Sequence, residues 1–171
     1  YTLCIYDDNS LQENAQRLDK IAAEKAGIIK KGITVIVGET NGLTRPVFTQ
    51  RAEEVGAPII LADEQNIITD SLPCDNGGII YQTHLYKELF GELGGLYQIK
   101  NTNTILTAVQ ELGKLGYKLE ERAIREGFAH VCQMTGLTGR WQKLNDSPTL
   151  ICDTGNNVGG IAYVAEQLQR Q

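Results

Sequence analysis

Two residues in this chain stand where their types and spacing could do chemistry. The first is Lys25. Leu18, Ile21, Ala22 and Lys25 recur at i, i+3, i+4 and i+7, the spacing of one helical face. Three of the four are apolar, so the lysine lies in a stripe that should turn toward a core. Asp19, Lys20 and Glu24 fall on the solvated side. An ammonium carried inward must snorkel, meet a counter-charge, lose its proton or be chemically modified. Snorkelling at a helix end is the commonest of these fates, because buried unpaired lysine is rare. The second is Asp153, in the segment LICDTGNNVGG. An acid at the carboxyl end of a strand, followed by glycine and a helix start, can accept from a ribose hydroxyl while first-turn N–H groups face phosphate. Asn and Asp are also ordinary helix caps, so a plain β–α turn accounts for the segment at least as well.

The elements that must position these residues follow from periodicity and punctuation. After the Lys25 helix, Ile33–Val37 is β-branched and apolar, as in a strand covered on both faces. The loop GETNGLTRP leads to Pro46, well placed in the first turn of a helix through about Val55, with Val47, Phe48, Ala52 and Val55 inward. Gly56 ends it, and Pro58 introduces a strand at Ile59–Ala62. This alternation predicts a parallel sheet with crossover helices. Residues 63–80 read as irregular, with a strand or hairpin from Ile79–Tyr81 toward Phe90 and a loop at Gly91–Gly95. Asn101 and Asn103 precede a helix with Ile105, Leu106, Val109 and Leu112 inward, stopped around Gly113–Gly116. A second helix starts near Leu119 and carries Ala123, Ile124, Phe128 and Val131. A long loop then reaches the strand Thr149–Cys152 and a helix over Val158–Gln169. At the start, Thr2–Tyr6 reads as a short strand and Asp7–Gln16 as a polar segment of weak periodicity.

Composition narrows the function classes. Of 171 residues 42% are hydrophobic and 22% charged, the balance of an ordinary globular protein. Net charge is −5 with no basic stripe, which argues against nucleic acid as a partner. No apolar run is long enough to span a bilayer, and no signal peptide is recognisable. Cys4, Cys74, Cys132 and Cys152 are scattered, so neither a zinc site nor a disulfide framework is indicated and a reducing, cytoplasmic setting is expected. The chain begins at Tyr1 and stops within a helical pattern at Gln171; both ends are expected to be cut.

Four segments in order carry a family resemblance, from about Leu18 to the end: EKAGIIKKG, LYQIKNTNT, GLTGRWQKL and LICDTGNNVGG. They resemble, respectively, the EKAGIIK signature, the aromatic/His-Gln-x-x-Asn stretch, the Pro-Gly-Arg loop and the Asp-Gly-Ala-His-Asn-Pro segment of folylpolyglutamate synthase/dihydrofolate synthase, in the Mur ligase superfamily. The resemblance implies an α/β fold: residues 1–139 as the latter part of a central ATP-binding ligase domain, and 140–171 as the start of a Rossmann-like C-terminal domain. It implies that Lys25 is carbamylated into an oxygen ligand for Mg²⁺, as that hard cation prefers. By the same resemblance Asn101 reads adenine and Arg140 meets the ATP phosphates and the acyl phosphate. Asp153 contacts the nucleotide, and Asn156 falls where the family has a phosphate-approaching histidine.

The implied activity is ATP-dependent addition of L-glutamate to folate, supplied as dihydropteroate or tetrahydrofolate, through an acyl-phosphate intermediate in a monomeric enzyme. Catalysis there is mostly positioning and electrostatics. Three departures stand against the pattern. No G-x-x-x-x-G-K-[ST] loop occurs in the chain. The family's Asp-His pair aligns onto Asn9 and Ser10, with Asp7 or Asp8 reaching it only by a register shift. Asn156 can donate a hydrogen bond but cannot carry charge. An interior fragment, inactive alone, is therefore expected. The alternatives are a Mur-type ligase acting on a peptidoglycan precursor and a non-catalytic α/β relative.

Overall fold

The computed structural model describes residues 11–155 and 158–169. The expected strand Thr2–Tyr6, the residues Asp7, Asp8, Asn9 and Ser10, and Asn156 lie outside them. Helix α1 spans Leu11–Ala26, so it begins earlier than its apolar stripe. Residues 11–17 are mostly good helix formers, which extend a helix without marking a face. Strands β1 (Val35–Val37) and β2 (Ile59–Leu61) pair in parallel, Val35 opposite Ile59 and Val37 opposite Leu61. Between them runs α2, Thr44–Val55, with Pro46 in its first turn as expected. The Asn41 side chain accepts from the Leu43 and Thr44 N–H groups, both at 2.9 Å, and so starts α2. Gly56, at φ 67°, ends it in the left-handed conformation that glycine adopts without a Cβ clash. Ala26, Ile29 and Ala52 form the buried centre of this unit, flanked by Val35, Val47, Phe48, Val55, Ala57 and Ile59.

A short 3₁₀ turn, Ala62–Glu64, leads to an antiparallel sheet of β3 (Ile68–Pro73), β4 (Ile79–Thr83) and β5 (Leu89–Gly91), in that spatial order. Strand β3 falls in the stretch expected to be irregular. It is an edge strand, held by its hydrogen bonds to β4, with most of its side chains exposed, so it shows no apolar alternation. Ile79, Tyr81 and Leu89 pack with Ile67 and with Leu106 of α3, which spans Tyr97–Lys114. Helix α3 starts before Asn101 and Asn103, not after them. Its buried stripe is Gln98, Thr102 and Leu106, while Ile105 and Leu112 are 48% and 40% exposed, contrary to the periodicity. The reason is polar docking. Asn103 accepts from the Ile67 N–H at 3.0 Å and donates to the Ala62 carbonyl, tying α3 to the end of β2 and the start of β3.

The single helix expected after Leu119 is two: α4 (Glu121–Ala129) and α5 (Val131–Thr135). Glu92 fills the break, its N–H donating to the Phe128 carbonyl at 2.9 Å and its carboxylate accepting the Cys132 N–H at 2.8 Å. These are the two groups that a continuous helix would join to each other. Beyond Gly139 the expected loop contains β6 (Gln142–Asp146), paired antiparallel with the expected strand β7 (Thr149–Cys152). Its sequence, QKLND, is mostly polar and exposed, so hydrophobic pattern could not mark it. Helix α6 spans Val158–Gln169.

Candidate functional site

Asp153 lies just past β7, and its carboxylate joins three segments. The Tyr97 hydroxyl at the start of α3 donates to Oδ2 at 2.9 Å, and the Trp141 N–H donates to the same oxygen at 2.8 Å. The Gly155 N–H donates to Oδ1 at 2.7 Å. Arg140 sits between two left-handed residues, Gly139 at φ 72° and Trp141 at φ 51°. A Cβ at Gly139 would meet the Thr154 methyl at 2.5 Å, so only glycine fits there. Trp141 carries the less natural conformation, at a cost of order 1–3 kcal/mol, and is held in it by burial and by Asp153. The Arg140 guanidinium donates to Thr154 Oγ1 at 2.9 Å, and that hydroxyl donates to the Gly139 carbonyl at 3.0 Å. Burial pushes the Tyr97 phenol well above its ordinary range, the Asp153 carboxylate adds to the shift, and Arg140 opposes it.

One turn along α3, Lys100 pairs with Glu39, which follows β1, and donates to the Tyr163 hydroxyl of α6 at 2.6 Å. Its nitrogen lies 5.3 Å from the Tyr163 ring centre; with the hydroxyl so much nearer, this is a hydrogen bond at the ring's edge rather than a cation over its face. Burial pulls the Lys100 ammonium down, but Glu39 and Tyr163 together outweigh it and leave its pKa raised. Tyr97 and Tyr163 meet edge to face, 6.4 Å between centres. The Gln167 side chain accepts the Leu96 N–H at 2.8 Å, a second tie between α6 and the entry to α3.

Of the residues that the sequence singles out, the structure brings Arg140 and Asp153 together. Asn101 stands one turn beyond Tyr97, exposed, donating to Gln98 at 3.0 Å. Lys25 is half-buried in the last turn of α1, between the buried Ala22 and the adjacent Ala26. Among the described residues no hydrogen bond or ion pair links Lys25 to the Arg140 group. Tyr97, Lys100, Glu39, Tyr163 and Thr154 escaped the sequence reading, although Tyr97 and Lys100 lie inside the LYQIKNTNT segment. A cleft of about 390 Å³ runs beside Trp141, lined also by Gly95, Leu96, Lys143, Ile151 and Gln167. None of Lys25, Asn101, Arg140 or Asp153 lines it, so hydrogen-bonded geometry rather than concavity locates the candidate site.

The donor set suits a nucleotide. A guanidinium fork matches phosphate oxygens, and a carboxylate with about four lone-pair sites has only three taken. Among the described residues no group of three His, Cys, Asp or Glu side chains could hold a metal ion. Mg²⁺, however, is commonly bound by one or two protein oxygens together with phosphates and water, which needs no such cluster.

No family model matches the chain. A dihydrofolate synthase/folylpolyglutamate synthase of Bacillus subtilis (strain 168) is 25% identical over 158 residues, 90% of this chain and 36% of that protein. The chain's likeness is to the folylpolyglutamate synthases. A solved folylpolyglutamate synthetase from Lactobacillus casei is similar with a TM-score of 0.72 at 25% identity, over 94% of this chain and 40% of that one. The folylpolyglutamate synthase of Mycobacterium tuberculosis, complexed with ADP, reaches a TM-score of 0.77 at 24% identity, over 98% of this chain and 37% of that one. These likenesses fix the α/β fold class along nearly the whole chain. The chain spans little more than a third of the length of the Bacillus folylpolyglutamate synthase that it matches.

Proposed function

We propose that this chain carries part of an ATP-dependent ligase that adds L-glutamate to folate through an acyl phosphate. The supporting observation is the Arg140–Thr154 and Tyr97–Asp153 network, which gathers a guanidinium and a carboxylate beside the first turns of α3, where Asn101 stands. Its counterpart in sequence is the match to a protein named dihydrofolate synthase/folylpolyglutamate synthase. ATP, when bound, supplies the phosphoryl group that activates a folate carboxylate, with Mg²⁺ spreading its charge.

In this reading Arg140 faces the phosphates with the guanidinium nitrogens that Thr154 leaves free, and neutralises charge as it grows on the transferring group. Asp153 uses its remaining lone pair on a ribose hydroxyl. Asn101 reads adenine with its side-chain amide. Lys25, after its ammonium gives up a proton to solvent, reacts with bicarbonate to form a carbamate and water, turning a half-buried cation into an oxygen ligand for Mg²⁺. Asn156, outside the described residues, would offer a neutral donor to phosphate. The domain division falls at 139/140, and the enzyme acts as a monomer in the cytoplasm. The ground for a reducing setting is the scatter of the four cysteines in the sequence, with no Cys-x-x-Cys spacing. No helix of the described residues is long and apolar enough to cross a membrane.

The test is calorimetric titration of the chain with ATP and with GTP, alongside an assay for ATP-dependent glutamylation of tetrahydrofolate. ATP preferred at least tenfold, with binding weakened in Arg140→Ala, supports the reading. Equal affinity for both nucleotides, or none for either, refutes it. Without a Gly-Lys-Ser/Thr phosphate loop among its 171 residues, the isolated chain is expected to bind nucleotide without ligating glutamate.

A further inference from the structure

We propose that Tyr97 is a positioning residue that fastens the Arg140 turn to α3 through Asp153, and so fixes how far the phosphate-facing guanidinium stands from the adenine-reading end of the site. The proposal rests on the nucleotide reading above and adds a residue to it. Tyr97 opens α3 four positions before Asn101, so the two share a helical face. Its hydroxyl and the Trp141 N–H converge on one oxygen, Asp153 Oδ2, at 2.9 and 2.8 Å. The other oxygen holds the Gly155 N–H at 2.7 Å. One carboxylate therefore ties α3, the turn 139–141 and the turn 153–155 to each other.

The turn 139–141 is the part most in need of a tie. Both Gly139 and Trp141 have positive φ, and a tryptophan adopts that conformation only where its surroundings impose it. Arg140 leaves the chain between them, so its direction is set by that turn. Thr154 sets the guanidinium itself, accepting from Nη1 at 2.9 Å while donating to the Gly139 carbonyl. The two devices overlap but can be told apart: the Tyr97 hydroxyl reaches the turn through Asp153 and also bears on the guanidinium, whereas Thr154→Val removes the hydroxyl's tie to the guanidinium and leaves the Thr154 N–H on the Gly139 carbonyl at 2.9 Å. Removing the Tyr97 hydroxyl leaves Asp153 Oδ2 with Trp141 alone and frees the turn to move relative to Asn101.

Trp141 is the chain's single tryptophan and is 4% exposed, so its fluorescence reports the turn directly. The experiment compares the wild-type chain, Tyr97→Phe and Thr154→Val for acrylamide quenching of Trp141 and for affinity toward ATP and adenosine. Tyr97→Phe keeps the ring that meets Tyr163 and loses only the hydroxyl. Its Trp141 should be quenched at least twofold more readily, ATP should bind about tenfold more weakly, and adenosine should bind within twofold of wild type. Thr154→Val should lose ATP affinity similarly while leaving Trp141 quenching unchanged. Unchanged quenching in Tyr97→Phe overturns the proposal, as do equal losses for ATP and adenosine, which would mean general loosening. Should wild type bind neither ligand, the nucleotide reading fails on its own and the proposal's phosphate-positioning part falls with it; quenching still decides whether Tyr97 holds the turn.

Discussion

Replacing Asn103 with alanine should cost the chain more stability than any other single polar change on α3. The Asn103 side chain accepts from the Ile67 N–H at 3.0 Å and, at a longer 3.4 Å, from the Ile68 N–H, while its amide donates to the Ala62 carbonyl. Ile67 is 3% exposed and Ala62 not exposed at all, so water cannot take over these groups without local opening. A buried donor left unsatisfied costs about 1–3 kcal/mol. The Ala62 carbonyl keeps a second bond, from the Gln65 N–H at 3.1 Å, so its share is the smaller one. Together these give a loss of roughly 2–4 kcal/mol, with the Ile67 N–H as the largest part. For a domain of this size each kcal/mol lowers Tm by about 2–4 °C, so a fall of order 10 °C is expected. Urea unfolding followed by far-UV circular dichroism should show a lower midpoint with an unchanged slope. A change below about 0.5 kcal/mol would mean that α3 is held by its apolar contacts alone, and the polar-docking account of its position would be wrong.

The other expectations concern the charged groups. Supplied with ¹³C-bicarbonate, the chain should show a carbamate carbon resonance that disappears in Lys25→Ala; its persistence there would remove Lys25 from the metal site. Where turnover is measured, Lys25→Ala should abolish it, with partial rescue by a small carboxylate. Arg140→Ala should lower kcat by more than it lowers ATP affinity, because the charge it meets is greatest in the transition state; an unchanged kcat would leave Arg140 a structural partner of Thr154 only. The Lys100 pKa is raised above its ordinary 10.5, so its pairing with Glu39 and Tyr163 contributes fully below that value and is lost as pH rises through the folded-state pKa. Glu39→Gln should therefore move alkaline unfolding to lower pH and leave neutral stability nearly unchanged, since both side chains are about half exposed. A large loss at neutral pH would contradict this.

What was legible in the sequence was legible for a physical reason. The parallel pair, α2, β7 and α6 are apolar or cleanly punctuated by Pro46, Gly56 and Pro58, and each lies close to its expected span. Strands β3 and β6 were missed because exposed, hydrogen-bonded edges leave no hydrophobic alternation to read. The start of α3 was misjudged because its inward residues, Gln98, Thr102 and Asn103, are polar groups with partners, which no apolar period reveals. In the site, Arg140 and Asn101 came from the family resemblance and not from local pattern. Tyr97 and Asp153 are 56 positions apart, and Lys100 and Tyr163 are 63 apart; pairings at that separation exist only once the fold has closed.

The break that Glu92 occupies between α4 and α5 has a geometric consequence for the site. A continuous helix transmits phase, so one inserted residue turns everything beyond it by about 100°. Here the phase is reset at His130, and the chain leading through α5 to Gly139 takes its bearing from the residue that follows β5. Length changes in α4 would rotate that helix on its own axis without carrying the rotation into α5 and the chain that leads on to the 139–141 turn.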